Sequence, residues 1–194
     1  MVKFNSGKEY EILLASASPR RQDLLKELQV PFTKVKSPDI DETVPKGMYK
    51  EEIAIHLAKK KAAAYQDLKD SQLLITADTI VWVDDKVLGK PEDYSDAFQM
   101  IKLLSNKEHS VVTGVCLKTN QIEHTFYAET LVRFCKLDND EIRYYIERYK
   151  PYDKAGAYGI QEWIGKIGID YIEGSFYNVV GLPVQKLYQE LKKM

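Results

Sequence analysis

A short run of hydroxyl and guanidinium side chains follows the first apolar segment of the chain. Glu11–Ala15 predicts a strand, and Ser18 before a proline is typical of a helix N-cap. A helix N-terminus has free backbone N–H groups that bind anions. Further donors suited to phosphate stand at the same place: Ser16, Ser18, Arg20 and Arg21. The pattern therefore predicts a phosphate site, with an ordinary capped helix and two solvated arginines as the alternative.

A single aspartate interrupts the most apolar strand of the sequence. Leu73–Val83 is apolar on both faces, which is typical of a central strand that is covered on both sides. An ionised carboxylate is costly there unless it is hydrogen-bonded, paired or bound to a metal. We therefore predict a functional role for Asp78. The alternative is a carboxylate that only ties down a neighbouring loop.

One of three consecutive lysines lies on the apolar side of a predicted helix. The segment from Tyr49 to Lys69 favours a helix, and its apolar stripe consists of Ala54, Leu57, Ala58, Ala62 and Tyr65. At about 100° per residue, Lys61 falls in the middle of this stripe, whereas Lys59 and Lys60 do not. The Lys61 ammonium must therefore pair with an acid, point into a pocket or snorkel to water.

Two loops offer further charged groups. The segment Ser37–Thr43 contains three carboxylates, which are ordinary solvated surface unless a metal lies beside them. Gly89 allows close approach of a ligand to the backbone, and Lys90 follows it just after a hairpin turn at Asp84–Lys86. A plain surface loop is the alternative for this second segment.

Composition restricts the class of protein. The chain has 194 residues, 44% of them hydrophobic, which suffices for one large α/β domain or two small lobes. Its net charge of −1 does not favour non-specific binding to nucleic acid or to anionic membranes. Cys116 and Cys135 lie in apolar strand-like runs and predict buried free thiols in a reducing compartment. Because we find no signal core or bilayer-length apolar stretch, we expect a cytoplasmic protein.

The remaining segments predict alternating elements. Ser95–Ser105 and the stretch from Asp138 to Tyr149 favour helices, and 109–119 with 122–137 favour an antiparallel pair of strands. Two glycine-rich loops, 153–161 and 173–181, precede a final helix that begins near Val184. The scattered histidines do not support a histidine metal site or a Ser-His-Asp triad.

Six segments together carry a resemblance to a known family. They are Ser16-x-Ser18-Pro19-Arg20-Arg21, Leu57-Ala58-x-x-Lys61-Ala62, Ala77-Asp78-Thr79, Gly89-Lys90-Pro91, Asp153-Lys154-Ala155-Gly156-x-Tyr158-Gly159-Ile160-Gln161 and Gly174-Ser175-x-x-Asn178-Val179-Val180-Gly181-Leu182-Pro183. In order and spacing they resemble the Maf family over nearly the whole chain. The fold we expect is a single α/β domain over residues 1–194, in which a mixed twisted sheet is flanked by helices and two lobes enclose a central cleft, as in Maf and ITPase-like proteins.

The resemblance implies a cytoplasmic nucleoside triphosphate pyrophosphatase that uses a divalent cation, Mg²⁺ or Mn²⁺, to release a nucleoside monophosphate and diphosphate. It implies that Asp78 is the proton acceptor, and that Glu42, Lys61 and Lys90 surround the phosphates and the metal, with Asp78 and Glu42 as metal ligands. Asp41 and Asp39 remain alternatives to Glu42.

Within the family, the branch acting on dTTP and UTP is marked by residues that correspond here to Arg20, Thr79 and Gln161. An amide such as that of Gln161 offers both a donor and an acceptor to the base edge of uracil or thymine. The sequence departs from the family pattern directly afterwards, where Glu162-Trp163 replaces an expected glycine.

Two other functions stay open at this point. One is a nucleotide-binding regulator of cell division without significant catalysis, and the other is a phosphatase that removes the terminal phosphate. We expect a nucleoside triphosphate as substrate and neither nucleic acid nor membrane as partner, and whether the chain forms a homodimer is left open.

Overall fold

A mixed β-sheet organises the protein. In the computed structural model, which describes Gly7 and residues 9–194, the strand order is β2-β1-β3-β5-β6-β7, and β4 pairs with β3 outside this path. The strands are β1 (Glu11–Ala15), β2 (Thr33–Val35), β3 (Gln72–Val83), β4 (Lys86–Leu88), β5 (Glu108–Lys118), β6 (Glu123–Phe134) and β7 (Ile169–Glu173). The helices are α1 (Pro19–Glu27), α2 (Lys50–Ala63), α3 (Tyr94–Leu104), α4 (Asn139–Tyr149), α5 (Trp163–Gly168), α6 (Phe176–Val180) and α7 (Val184–Lys193). The predicted mixed sheet flanked by helices is confirmed.

Strand direction follows from the connections. The first strand pairs in parallel with both β2 and β3, as expected for strands joined through helices. The β3–β4 pair is antiparallel and closes through Asp84 and Asp85, whose φ angles of 49° and 58° define a two-residue hairpin turn of the type that matches strand twist. Since β5 and β6 are neighbours joined by only the residues 119–122, they form an antiparallel hairpin, as predicted.

The chain divides into two compact units. The first comprises the described residues up to Asp78 together with Thr113–Ala128 and Gly181–Met194, and the second comprises Thr79–Val112 and Glu129–Val180. In the first unit, Leu13, Ala58 and Leu74 are among the buried residues that pack β1, α2 and β3 together. The second unit has its own larger core, made from α3, α4 and their strands. The cleft expected between two lobes stays a prediction.

The helix of the three lysines is shorter than predicted. We expected it to reach Lys69, but α2 ends at Ala63. The Lys118 ammonium on β5 donates hydrogen bonds to the carbonyl oxygens of Ala62 and Tyr65, at 3.2 and 2.7 Å. A side chain distant in sequence therefore satisfies carbonyl groups where the helix stops.

The second glycine-rich segment is not simply a loop. The prediction of a loop over 173–181 is wrong in part, because β7 extends to Glu173 and α6 occupies Phe176–Val180. The buried side-chain amide of Asn178 donates to the Val111 carbonyl and to the Thr130 hydroxyl, each at 3.0 Å. These long-range hydrogen bonds hold a short helix that has no apolar periodicity of its own.

The two cysteines are free, as predicted, but they differ in burial. Cys116 is fully buried, and burial raises the pKa of its thiol to about 12. Cys135 is only partly buried, so the expectation of two buried thiols is wrong for this residue. Across the described residues, no helix combines the length and the apolar character that a membrane span requires.

Candidate functional site

Two carboxylates meet the ammonium group of Lys61. Lys61 donates a short hydrogen bond to Oδ1 of Asp78, and its Nζ lies 3.0 Å from Oε1 of Glu42. The side chains of Lys61 and Asp78 are each only 12% exposed, whereas that of Glu42 is 53% exposed. An acid from a strand, a base from a helix and an acid from a loop therefore form one cluster.

A hydrogen bond from a side chain of β3 to the backbone of α2 positions this cluster. The Thr76 hydroxyl donates to the Ala58 carbonyl at 2.7 Å. Asp78 lies two residues after Thr76 and so projects from the same face of the strand, while Lys61 lies three residues after Ala58 on the same side of the helix. The contact between Thr76 and Ala58 thus places the carboxylate and the ammonium opposite each other.

The three consecutive lysines have three different partners. Lys59 pairs with Glu123 at 3.0 Å, and Lys60 pairs with Asp41 at 3.5 Å, both at the exposed surface. Only Lys61 reaches Asp78, as its helical phase predicted. The sequence left three possibilities open for the Lys61 ammonium: an acidic partner, a pocket or the solvent. The structure shows the acidic partner.

The acidic loop contributes Glu42 to the cluster and uses Asp41 elsewhere. Asp41 accepts hydrogen bonds from the backbone N–H and the hydroxyl of Thr43, and these lower the pKa of its carboxyl group. Among the acids of this loop, the geometry therefore favours Glu42 as the partner of Lys61. Asp39 is exposed, and no contact with Lys61 is found for it in the described part of the chain.

The helix start after β1 has the local structure that the sequence predicted. Ser18 is the N-cap and its backbone N–H donates to the buried Ser16 hydroxyl at 3.2 Å. Among the described groups, no helix N–H donates to the Ser18 side chain. The Ser18 hydroxyl is therefore not engaged in capping the helix.

Arg21 links helix α1 to the carboxylates of Asp78 and Glu42 and to the segment that contains Gly181. Its Nε donates to the Gly181 carbonyl at 2.8 Å. Burial lowers the pKa of the guanidinium group, and the negative charges of Asp78 and Glu42 oppose that effect. Arg21 thus belongs to the same electrostatic cluster as Lys61. Its neighbour Arg20 is half-buried.

Thr79, Lys90 and Gln161 belong to the second unit. Thr79 follows Asp78 directly on β3 and is partly buried, whereas Lys90 is exposed. Gly156 N–H donates to the Gly89 carbonyl at 2.9 Å, so the loop of Lys90 and the glycine-rich loop that carries Gln161 contact each other. The side-chain oxygen of Gln161 is buried and has no hydrogen-bond partner among the described residues.

A buried ionic network next to Gln161 was not predicted from the sequence. Lys154 is 8% exposed, and its ammonium lies 2.7 Å from Asp153 and 3.2 Å from Glu162. The hydroxyl group of the fully buried Tyr145 donates a short hydrogen bond to Glu162. Glu162 belongs to the pair Glu162-Trp163, where we expected a glycine, and that expectation was the only signal that the sequence offered.

The first unit's cluster contains two carboxylates, those of Asp78 and Glu42. Within the residues that the structure describes, no group of three or more His, Cys, Asp or Glu side chains is suited to hold a metal ion. Mg²⁺ commonly uses only one or two protein carboxylates and completes its shell with waters and substrate phosphates. Asp78 and Glu42 fit that mode of binding.

Within the first unit, the acid–lysine–acid cluster is coupled electrostatically to Arg21 in the first turn of α1, an arrangement suited to binding phosphate groups. A family model described as Maf-like protein matches residues 11–194. The chain belongs to the Maf family.

Curated relatives share about half of the sequence over nearly the full length of both chains. A relative from Bacteroides fragilis is 53% identical over 95% of this chain and 96% of its own, and one from Parabacteroides distasonis is 54% identical with the same coverage. A relative from Porphyromonas gingivalis is 52% identical over 95% of this chain and 94% of its own. All three are named dTTP/UTP pyrophosphatase.

Proposed function

We propose that the protein is a nucleoside triphosphate pyrophosphatase that hydrolyses dTTP and UTP at the bond between the α- and β-phosphates. The observation that carries this proposal is the Lys61 ammonium held between Asp78 and Glu42. A buried acid beside cationic groups is what a hydrolysis of a phosphoanhydride requires. The names of the relatives supply the choice of substrates.

The reaction needs a base and several positive charges. One water adds to the α-phosphorus, the bond to the bridging oxygen breaks, and a nucleoside monophosphate and diphosphate leave. Asp78 accepts the proton of the attacking water, while Lys61 and Arg21 neutralise charge that develops on the phosphate oxygens. Ser16, Ser18 and the free N–H groups at the start of α1 add hydrogen bonds to the same oxygens. Lys90 contributes a further positive charge to the departing diphosphate.

A divalent cation, Mg²⁺ or Mn²⁺, is part of the proposal. Asp78 and Glu42 would hold it, because carboxylate oxygens are the protein ligands that both ions prefer. When bound, it would supply positive charge to the phosphate oxygens.

Gln161 is proposed to read the base. Uracil and thymine carry an N3–H donor next to an O4 acceptor, and the side-chain amide of Gln161 offers an acceptor and a donor that match them. Cytosine has an acceptor at N3 and an amino donor at position 4. In the same orientation of the amide, acceptor therefore faces acceptor and donor faces donor. Arg20 and Thr79 then hold the nucleotide in register without reading the base.

Product analysis over a panel of nucleotides tests the proposal. Purified protein with Mg²⁺ or Mn²⁺ is given dTTP, UTP, CTP, ATP, GTP and 7-methyl-GTP, and diphosphate and orthophosphate are measured separately. We expect diphosphate, released from dTTP and UTP well ahead of the other nucleotides. A preference for purines would refute the base assignment, and orthophosphate as the first product would identify a terminal phosphatase. Binding of dTTP without turnover would support the nucleotide-binding regulator instead.

The cellular setting is inferred from composition. The free thiols of Cys116 and Cys135 support a reducing compartment such as the cytoplasm. The net charge of −1 supports a small nucleotide as partner rather than nucleic acid or a membrane surface. Light scattering after size exclusion distinguishes a monomer from the homodimer that the sequence leaves open.

A further inference from the structure

The turn that carries Gln161 is held at both of its ends by one carboxylate network. The Glu162 N–H donates to the Gly159 carbonyl at 3.0 Å, which closes a four-residue turn with Ile160 and Gln161 as its central residues. The Gly159 N–H donates to the Tyr145 hydroxyl at 3.0 Å, and that hydroxyl donates in turn to Glu162. The first and last residues of the turn are therefore bound to the same buried tyrosine.

The second oxygen of Glu162 meets the ammonium of Lys154. Lys154 stands at the beginning of the same loop, seven residues before Gln161, and its side chain is 9% exposed. Because Glu162 contacts both Lys154 and Tyr145, one side chain ties the beginning of the loop, its end and helix α4 together. A buried lysine of this kind is stable only with an acid nearby.

The absence of a side chain at Gly159 makes room for this carboxylate. A Cβ atom added at Gly159 would lie 2.8 Å from Cδ and 3.0 Å from Oε2 of Glu162. Only the end of the Glu162 side chain stands in the way, so a methyl group there would displace the carboxylate rather than the backbone. The glycine and the glutamate thus fit each other.

We propose that Glu162 is a positioning residue for base recognition, and that through Lys154 and Tyr145 it holds Gln161 in the orientation that selects uracil and thymine. The inference rests on the proposed function, because Gln161 is the base-reading residue of that proposal. Glu162 itself touches neither phosphate nor base. Its loss changes the placement of the Gln161 amide and leaves the Lys61 and Asp78 cluster intact.

This role predicts a particular pattern of kinetic change. Misplacing a hydrogen-bonding group by a fraction of an ångström weakens nucleotide binding, while the groups that act on the α-phosphate are unchanged. For Glu162→Ala we expect KM for UTP and dTTP to rise at least about tenfold, with kcat within about twofold. For CTP, whose base does not match the Gln161 amide, KM and kcat change little. The preference for UTP over CTP therefore falls by about the same tenfold factor.

Three further variants separate positioning from general damage. Gly159→Ala should reproduce the kinetic pattern of Glu162→Ala, because it displaces the same carboxylate without removing it. Glu162→Gln keeps the size and an acceptor for Tyr145 but loses the charge facing Lys154, so an intermediate rise in KM is expected. Asp170→Asn removes an exposed carboxylate that pairs with Arg133 in the same unit, and it serves as the charge-matched control with unchanged kinetics.

Kinetics for UTP, dTTP and CTP are measured together with thermal unfolding and with the calorimetric Kd for dTTP. Equal loss of kcat/KM on all three nucleotides, or a KM within twofold of wild type for Glu162→Ala, would overturn the positioning role. If the wild-type protein releases no diphosphate from any nucleotide, the proposed function fails instead. The Kd for dTTP then decides, since an unchanged Kd in Glu162→Ala would reject the positioning role and a tenfold weaker one would support it.

Discussion

The three consecutive lysines of α2 offer a test in which only one variant should affect catalysis. Lys59 and Lys60 form exposed pairs with Glu123 and Asp41, and pairs of that kind contribute at most about 1 kcal/mol to the free energy of unfolding. Lys61 is largely buried with Asp78. Replacing Lys61 by Met leaves a buried carboxylate without its partner, which costs about 3 kcal/mol, the lower end of the range for breaking a buried pair.

The double variant Lys61→Met with Asp78→Asn separates stability from catalysis. It removes both charges, so we expect its free energy of unfolding to return to within about 1 kcal/mol of wild type, about 2 kcal/mol above that of Lys61→Met alone. Its activity should stay lost, because neither the base nor the cation is restored. Urea unfolding measures the stability, and diphosphate release from dTTP measures the activity.

We expect diphosphate release to fall at least about 10²-fold in Lys61→Met and to change less than about twofold in Lys59→Met and Lys60→Met. Equal losses of activity in Lys59→Met and Lys61→Met would refute the argument from helical phase. A double variant that regains activity along with stability would show that Lys61 and Asp78 serve the fold rather than the reaction.

Three further outcomes are expected. Asp78→Asn should lower turnover at least about 10²-fold while the calorimetric Kd for dTTP stays within a few-fold of wild type, whereas near-normal turnover would remove Asp78 from the chemistry. Lys90→Ala should lower activity without a change in urea midpoint, because Lys90 is exposed; unchanged diphosphate release would exclude it from the site. Burial lowers the pKa of His109 to about 3, so the unfolded chain binds a proton that the folded protein excludes once the pH falls below about 6.5. The resulting loss of unfolding free energy, about 2 kcal/mol at pH 5 relative to pH 7, should be absent in His109→Phe if urea titrations are compared at the two pH values.

The parts of the fold that local patterns specify could be predicted from the sequence. Ser18 before a proline defines the start of α1, and the apolar run around Asp78 defines β3. The phase of Lys61 follows from the helical repeat alone, and so does its separation from Lys59. These features depend on residues within one or two turns of each other, for which spacing is sufficient evidence.

The predictions that were wrong concern elements that depend on contacts between residues distant in the sequence. At the end of α2, the Ala62 carbonyl accepts a hydrogen bond from Lys118, which lies 56 positions later in the chain. The helix α6 depends on Asn178 and its bonds to Val111 and Thr130, 67 and 48 positions away. The local pattern of apolar residues contains no information about such distant contacts. For the glycine-rich segment 173–181, that local pattern alone predicted a loop.

The network around Glu162 places a partly buried carboxylate directly beside the proposed base reader. A glycine at this position would leave the Lys154 ammonium with Asp153 as its remaining acidic partner and the Tyr145 hydroxyl without its acceptor, both in a buried setting. Glu162 therefore satisfies two buried groups directly beside Gln161. Because Glu162 is next to the proposed base reader, this network and the proposed substrate preference are physically linked. The kinetic pattern expected for Glu162→Ala and Gly159→Ala is the direct measure of that link.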